Sequence, residues 1–377
     1  MIQFFPRFHY ASALMIRVLH LLEQYPDYQT ETGATQLRRD RSASFGVTTR
    51  TIGLHGDWPN AAAAILWLRQ HHEPIDLVHT WGERALSVAA LGTASPIVYS
   101  PTRFPNRRAT RWLRAVMGVR DVNVVCPTDT MRRAFVERGV PIAQCHLIRP
   151  GVDFAKIKRR RDPALRRALG FAEDDYVMLA AGESTRAAAH DRAVWAGSIL
   201  HVLDPHYRLV LWGRGDAVAR TQRFAEKTEQ RTLLSIATKR VGPDVTFEQL
   251  FPAADVILVT ARGAVDTLAI ATSMASGLPI VATVSTTVAE LLEDRHTALM
   301  VGKPAPRAVA QRVLDLRADP SLQWSIADMA RTEAFEYFSM TRFVSQWRGV
   351  YQQVAAGGAV QVEQQAPGAG MRFHGRG

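Results

Sequence analysis

Apolar residues in this chain cluster into short runs separated by longer polar or Ala-rich stretches. Ile75-Asp76-Leu77-Val78-His79, Pro96-Ile97-Val98-Tyr99-Ser100 and Val122-Asn123-Val124-Val125-Cys126 are such runs in the first half. Tyr176-Val177-Met178-Leu179-Ala180, Tyr207-Arg208-Leu209-Val210-Leu211, Asp255-Val256-Ile257-Leu258-Val259 and Pro279-Ile280-Val281-Ala282-Thr283 are their counterparts in the second. Short apolar runs bounded by Gly, Pro or polar residues predict buried strands. Residues 46–54 are strand-like, and residues 1–5 are a short candidate for a first strand. Between the strands, helices are predicted over residues 60–70, 129–138, 191–203, 217–237 and 306–317. A last helix is predicted over 334–354, where Phe338, Phe343, Trp347 and Tyr351 recur at turn-like spacing. Leu14, Val18, Leu21 and Leu22 give residues 12–24 helical spacing, whereas residues 30–44 are polar, lack periodicity and read as a loop. Met274-Ala275-Ser276-Gly277-Leu278-Pro279 closes a helix with Gly, and Pro forbids its continuation.

Strand, helix and strand at this spacing form right-handed crossover units, so the sheets are parallel and the class is α/β. Ligands of open parallel sheets bind outside the carboxyl ends of the strands. The loop at 261–267 and the turn at 285–288 are therefore expected to face a ligand.

A length of 377 residues and 47% hydrophobic content allow two domains with cores of their own. The expected division is residues 1–150, residues 151–335, a final helix at 336–354 and a disordered Gly-, Gln- and Pro-rich tail at 355–377, with a hinge near 150–161. No run is long and apolar enough for a membrane span, and the first residues lack a secretion-leader pattern, which predicts a cytoplasmic protein. Cys126 and Cys145 read as small buried residues rather than a redox pair.

The net charge of +11 is unevenly placed. Arg103, Arg107, Arg108, Arg111, Arg114 and Arg120 occur without an intervening acid, and Arg107, Arg111 and Arg114 share one helix face. Such a face either is solvated or lies on an anionic membrane surface, which would put the protein at the inner membrane face. Lys156-Ile157-Lys158-Arg159-Arg160-Arg161 reads as a solvated linker. Zinc-ligand spacings and RNA-binding sheet motifs are missing, so no specific nucleic-acid partner and no metal are expected.

Several segments, in order over roughly residues 75–350, resemble the retaining family 4 (group 1) glycosyltransferases. They are Ile75-Asp76-Leu77-Val78-His79, Ile148-Arg149-Pro150-Gly151-Val152-Asp153, Leu209-Val210-Leu211-Trp212-Gly213-Arg214-Gly215, Glu290-Leu291-Leu292-Glu293-Asp294 and Leu299-Met300-Val301. The resemblance implies a GT-B fold, in which an N-terminal acceptor-side and a C-terminal donor-side Rossmann-like domain face each other across a cleft. The last helix would cross back to the first domain. It also implies transfer of a sugar from a nucleotide-sugar, a co-substrate rather than a cofactor, to a glycan or lipid-linked acceptor. Donor-side candidates are then Gly182, Glu183, Arg186, Arg214, Ala264, Asp266, Thr267, Thr272, Thr286, Thr287 and Glu290. Acceptor-side candidates are Arg7, His79 and Trp81, with His55 a further cleft histidine. Arg107, Arg111 and Arg114 are the membrane-surface candidates.

The chain departs from the family pattern where the chemistry is densest. Developing charge on a leaving nucleoside diphosphate calls for cations or helix N-termini. At the family's Arg and Lys positions stand Glu183 and Ala188. Its two glutamates fall at Ala264 and Thr272, and neither can accept hydrogen bonds as a carboxylate does. Val265 replaces a glycine, and Pro6-Arg7-Phe8-His9-Tyr10 replaces a Gly-Gly acceptor loop. Two other readings therefore stand beside an active transferase with rearranged contacts. One is a catalytically inactive homologue acting as a binding or partner protein, and the other is a membrane-surface or polyanion binder.

Overall fold

The computed structural model describes residues 16–23, 28–39, 47–54, 58–71, 74–228, 232–263, 266–302 and 305–357. The first sheet is built from β1 (Ile16–Glu23), β2 (Val47–Leu54), β3 (Leu77–Trp81), β4 (Ile97–Ser100), β5 (Val122–Cys126) and β6 (Cys145–Leu147). Its order is β2-β1-β3-β4-β5-β6, and every pairing is parallel. The helices of this half are α1 (Tyr28–Arg39), α2 (Trp58–Gln70), α3 (Glu83–Gly92), α4 (Arg107–Met117) and α5 (Asp129–Val136).

After the short α6 (Pro163–Ala168), a second sheet follows with β7 (Tyr176–Ala180), β8 (Tyr207–Leu211), β9 (Leu234–Ile236), β10 (Val256–Val259), β11 (Ile280–Thr283) and β12 (Leu299–Val301). Its order, β12-β11-β10-β7-β8-β9, is the parallel, doubly wound order of dinucleotide-binding sheets. Its helices are α7 (His190–Leu203), α8 (Val218–Lys227), α9 (Ala237–Arg240), α10 (Thr267–Ser276), α11 (Thr286–Leu291), α12 (Pro306–Ala318) and α13 (Pro320–Tyr337). The final helix, α14 (Met340–Ala355), packs Phe343, Trp347, Val350, Tyr351 and Val354 against Val18, Leu77, Val98 and Val125 of the first sheet.

The chain thus passes between the two halves twice, and the passages touch. Val152 pairs with Ser339 in a parallel bridge, and the Val152 amide donates to the Phe338 carbonyl at 2.7 Å. Gly151 lies so close to α14 that a Cβ there would come within 2.7 Å of the Phe343 Cβ, so the position admits no side chain without displacing that helix.

Four sequence expectations are corrected. Residues 12–24 do not form a helix; β1 is a strand bracketed by β2 and β3, and its Val18, Leu19, Leu21 and Leu22 are buried. A strand covered on both faces has no alternation, and its apolar residues can mimic helical spacing. Residues 30–44 are not all loop, since α1 extends to Arg39 and buries only Ala34, Leu37 and Gly33 among its described side chains. The helix expected at 217–237 ends at Lys227, and Leu234–Ile236 forms an edge strand. The last helix is broken at Phe338 and Ser339, where the chain makes its second passage. The strand expected at residues 1–5 and the tail at 358–377 lie outside the described residues.

One buried charge ties the second half together. Arg166, only 1% exposed, donates to the Ala253 carbonyl at 2.9 Å, to Asp255 Oδ2 at 3.1 Å and to the Asp175 carbonyl. Breaking a buried pair by removing one partner leaves the other charge uncompensated. Arg166→Ala is expected to lower unfolding free energy by about 3–5 kcal/mol, read from urea denaturation; a change below about 1 kcal/mol, the range of exposed pairs, would contradict this account.

Candidate functional site

A cleft of about 870 Å³ lies between the two halves. The second sheet contributes Ala181 and the loop after β7, Arg214 to Asp216 after β8, Val259 at the end of β10, and Asp266 to Ile270 at the start of α10. Strands β7 and β10 adjoin where the strand order reverses, the switch point at which open parallel sheets bind ligands. The first half contributes Gln29, Gly33 and Gln36 of α1, Trp81 at the end of β3, Ser100 to Phe104 at and beyond the end of β4, and Met131 of α5. Phe343 and Trp347 of α14 close the floor.

The loop after β7 is shaped by two local constraints. Gly182 has φ 70°, and a Cβ there would lie 2.6 Å from the Ala269 Cβ, so the loop approaches the N-terminal turn of α10 only because the residue is glycine. His190 lies beneath the loop and is buried. Its Nε2 donates to the Ala181 carbonyl at 3.1 Å, which leaves Nδ1 to accept from the Ser184 hydroxyl at 2.8 Å. Burial pushes this imidazole down to about 4. His146, bonded through Nε2 to Asn123 Oδ1 at 3.0 Å, is pushed to about 4 by burial and then by Arg132.

Among the described residues the charges lining the cleft balance. Its cations are Arg103, Arg186 and Arg214, and its carboxylates are Glu183, Asp216 and Asp266. Glu183 Oε1 lies 3.4 Å from Arg214 Nε, and the Arg214 guanidinium stacks over the Trp212 ring at 5.0 Å. Asp266 caps α10, its Oδ1 accepting from the amides of Leu268 at 2.9 Å and Ala269 at 3.2 Å. The Thr267 amide donates to Gln29 Oε1 from the other half at 3.2 Å. The helix end that would receive an anion is therefore already capped.

Of the sequence candidates, Glu183, Arg186, Arg214, Asp266, Thr267 and Trp81 line the cleft, and Gly182 sits between lining residues. Thr272 does not. Every residue of α10 is buried, and the Thr272 hydroxyl is enclosed without a hydrogen-bond partner. Thr286 is exposed and Thr287 buried; neither lines the cleft, because the loop after β11 lies one strand beyond the switch point. Glu290 reaches instead to the first half, where it accepts from the amides of Asp129 at 2.7 Å and Thr130 at 2.8 Å. His79 is buried between the first sheet and α14. Its Nδ1 meets the Tyr351 hydroxyl at 2.7 Å and its Nε2 the Ser100 hydroxyl at 2.9 Å, and Ser100, Trp81 and Trp347, which line the cleft, pack against it. Burial, with His20 beside it, holds His79 well below the ordinary imidazole range. Arg7, His55 and Ala264 lie outside the described residues. Gln29 and Gln36 were not legible as site residues, since a polar stretch without periodicity carries no local signal.

Arg107, Arg108, Arg111 and Arg114 are all exposed on α4, while Thr110, Leu113 and Val116 are buried beneath. Trp112 is 41% exposed, with its Nε1 donating to the Ser87 hydroxyl. Cys126 and Cys145 are free and buried. Among the described residues, one group of metal-ligand type, Asp174, Asp175 and His206, lies outside the cleft, and Arg208 already holds Asp175 at 3.1 Å. Among the described residues no helix is long and apolar enough to cross a membrane.

The family profile described as Glycosyl transferases group 1 matches residues 178–319, and that described as Glycosyltransferase Family 4 matches residues 26–156. No curated protein matches the chain. Among solved structures, HepE of Anabaena in complex with UDP and glucose superposes with a TM-score of 0.73 at 16% identity, over 89% of this chain and 99% of that one. Sucrose-phosphate synthase of Thermosynechococcus elongatus gives 0.74 at 16% identity, over 91% and 100%. WaaG, a glycosyltransferase involved in lipopolysaccharide biosynthesis, gives 0.70 at 15% identity, over 89% and 99%. At these identities the likeness is one of fold, and the fold is GT-B.

The buried histidines set a pH dependence. An unfolded imidazole takes up its proton near pH 6.5, whereas folded His190 and His146 do so at about 4. Both groups favour the folded state fully above pH 6.5, and that contribution is lost as pH falls towards 4. The thermal midpoint is expected to drop across this window, with a shallower slope in His190→Gln; equal slopes in the two proteins would contradict the assignment.

Proposed function

The chain belongs to the group 1, family 4 glycosyltransferases, and from that premise we propose that its cleft transfers a sugar from a nucleotide-sugar to a glycan or lipid-linked acceptor. The observation that carries the reading is the position of the cleft across the β7–β10 switch point, with a second domain facing it. Anabaena HepE has been solved with UDP-glucose, which supports a nucleotide-sugar as the donor class.

The donor would lie on the second half, with its diphosphate towards Arg186 and Arg214. Those cations would stabilise charge as the nucleoside diphosphate leaves. The acceptor would enter past Trp81, Ser100 and Arg103. Arg103 lines the cleft and is exposed, four residues ahead of the exposed Arg107 at the start of α4. This adjacency supports an acceptor carried on an anionic membrane surface, where each cation contributes about 1 kcal/mol.

With Glu183 beside Arg214 and Asp266 on α10, the site would meet a diphosphate with little net positive charge. Nucleotide binding is accordingly expected to be weak and turnover slow. Calorimetry across UDP, GDP, ADP and dTDP checks the donor, and binding by none of them would sink the reading. Glu183→Gln is expected to tighten the bound nucleotide severalfold by releasing Arg214; weaker binding would instead make Glu183 a ligand contact.

Salt-sensitive binding to anionic vesicles is expected, and replacing Arg107, Arg111 and Arg114 together with Ala should abolish most of it. Flotation that shows no binding at low salt, or no effect of the triple change, would leave α4 a solvated face.

A further inference from the structure

Glu290 belongs to the second half, yet its carboxylate is spent on the first. Oε1 accepts from the Asp129 amide at 2.7 Å, and Oε2 accepts from the Thr130 amide at 2.8 Å and the Thr130 hydroxyl at 2.7 Å. Thr128 caps the next amide, that of Met131, so the start of α5 is capped jointly by its own half and by the opposite one. A carboxylate at a helix N-terminus gains from charge-assisted hydrogen bonds and from the helix dipole. The Glu290 side chain is only 10% exposed, which limits screening, and Arg149 Nη2 stands 3.9 Å behind it.

The reverse contact is present on α10, where Gln29 of the first half accepts from the Thr267 amide. The two contacts are unequal. Gln29 and Thr267 line the cleft, so a bound donor can displace that single neutral bond. Of α5 only Met131 lines the cleft; Glu290, Asp129 and Thr130, which make the three bonds, do not.

We infer that Glu290 is a positioning residue: by capping α5 from the opposite domain it sets the separation at which the two faces of the cleft are held. The inference rests on the sugar-transfer reading only for the identity of the ligand that gains from that separation. An anionic side chain at this position was legible in the sequence, but its partner, 161 positions away, was not.

The test uses the full chain. Small-angle scattering of the ligand-free protein is compared for wild type, Glu290→Ala, Glu290→Gln and Thr130→Val, together with UDP affinity by calorimetry. Glu290→Ala is expected to increase the radius of gyration and to weaken UDP binding about tenfold, since the binding-competent closed population falls. Glu290→Gln keeps one acceptor and should be intermediate. Thr130→Val removes only the hydroxyl and should shift both readouts slightly in the same direction. If Glu290→Ala fails to fold, the other two variants decide the matter. Unchanged scattering and unchanged affinity in the folded variants would overturn the inference, as would a lower melting temperature without any change in scattering. Should wild type bind no UDP, the donor reading fails, while the scattering series still decides the clasp.

Discussion

The geometry of this protein depends on the close pairing of its two interdomain passages. A GT-B cleft has value only if two separately folded sheets present their carboxyl ends to each other at a usable distance. Here the outgoing chain at Val152 is hydrogen-bonded to the returning chain at Phe338 and bridged to Ser339. Gly151 permits the contact because Phe343 fills the space a side chain would take. The helix beyond, α14, then joins the first sheet's core through Trp347, Val350 and Tyr351. Loss of that packing would free the second domain from the first, and every residue facing the cleft would lose its opposite number.

Within that frame the cleft works by compensation rather than by strong charge. The loop after β7 is fixed from below by His190, a neutral buried imidazole that uses both ring nitrogens. Its Glu183 and the following loop's Arg214 partly neutralise each other, and Arg214 is held on Trp212. The start of α10 is satisfied by Asp266 and Gln29. A donor entering this site therefore exchanges existing hydrogen bonds for new ones, and the net gain from each exchange is small. On this ground nucleotide binding is expected to be weak on a scaffold otherwise suited to it.

Much of the second half was legible because its strands are buried on both faces and stand out as apolar runs, and because Gly277 and Pro279 punctuate the helix and strand between β10 and β11. The same double burial misled at β1, where Val18, Leu21 and Leu22 mimic a helical stripe. Short elements between longer ones were also lost: β9 has three residues and no pattern of its own, and the break at Phe338 interrupts an aromatic series that continues through it. At the site, Asp266 could be placed from topology, on the loop after a strand's carboxyl end, whereas Glu183 and Arg214 were placed by the family resemblance. Thr272, Thr286 and Thr287 were misplaced because side-chain direction within a fully buried helix, or past the switch strand, leaves no trace in spacing. Gln29 and Glu290 act across the domain gap, and a contact between distant segments has no local signature.

Hydrogen exchange on adding saturating UDP addresses the central claim most directly, because it reports where on the chain the nucleotide sits without requiring turnover. The account predicts slowed exchange for amides of the loop after β7, residues 182–188, and of the first turn of α10, with α4 unchanged. Exchange in those two segments identical to that of the free protein, with or without protection elsewhere, would contradict the assignment of this cleft as the donor site.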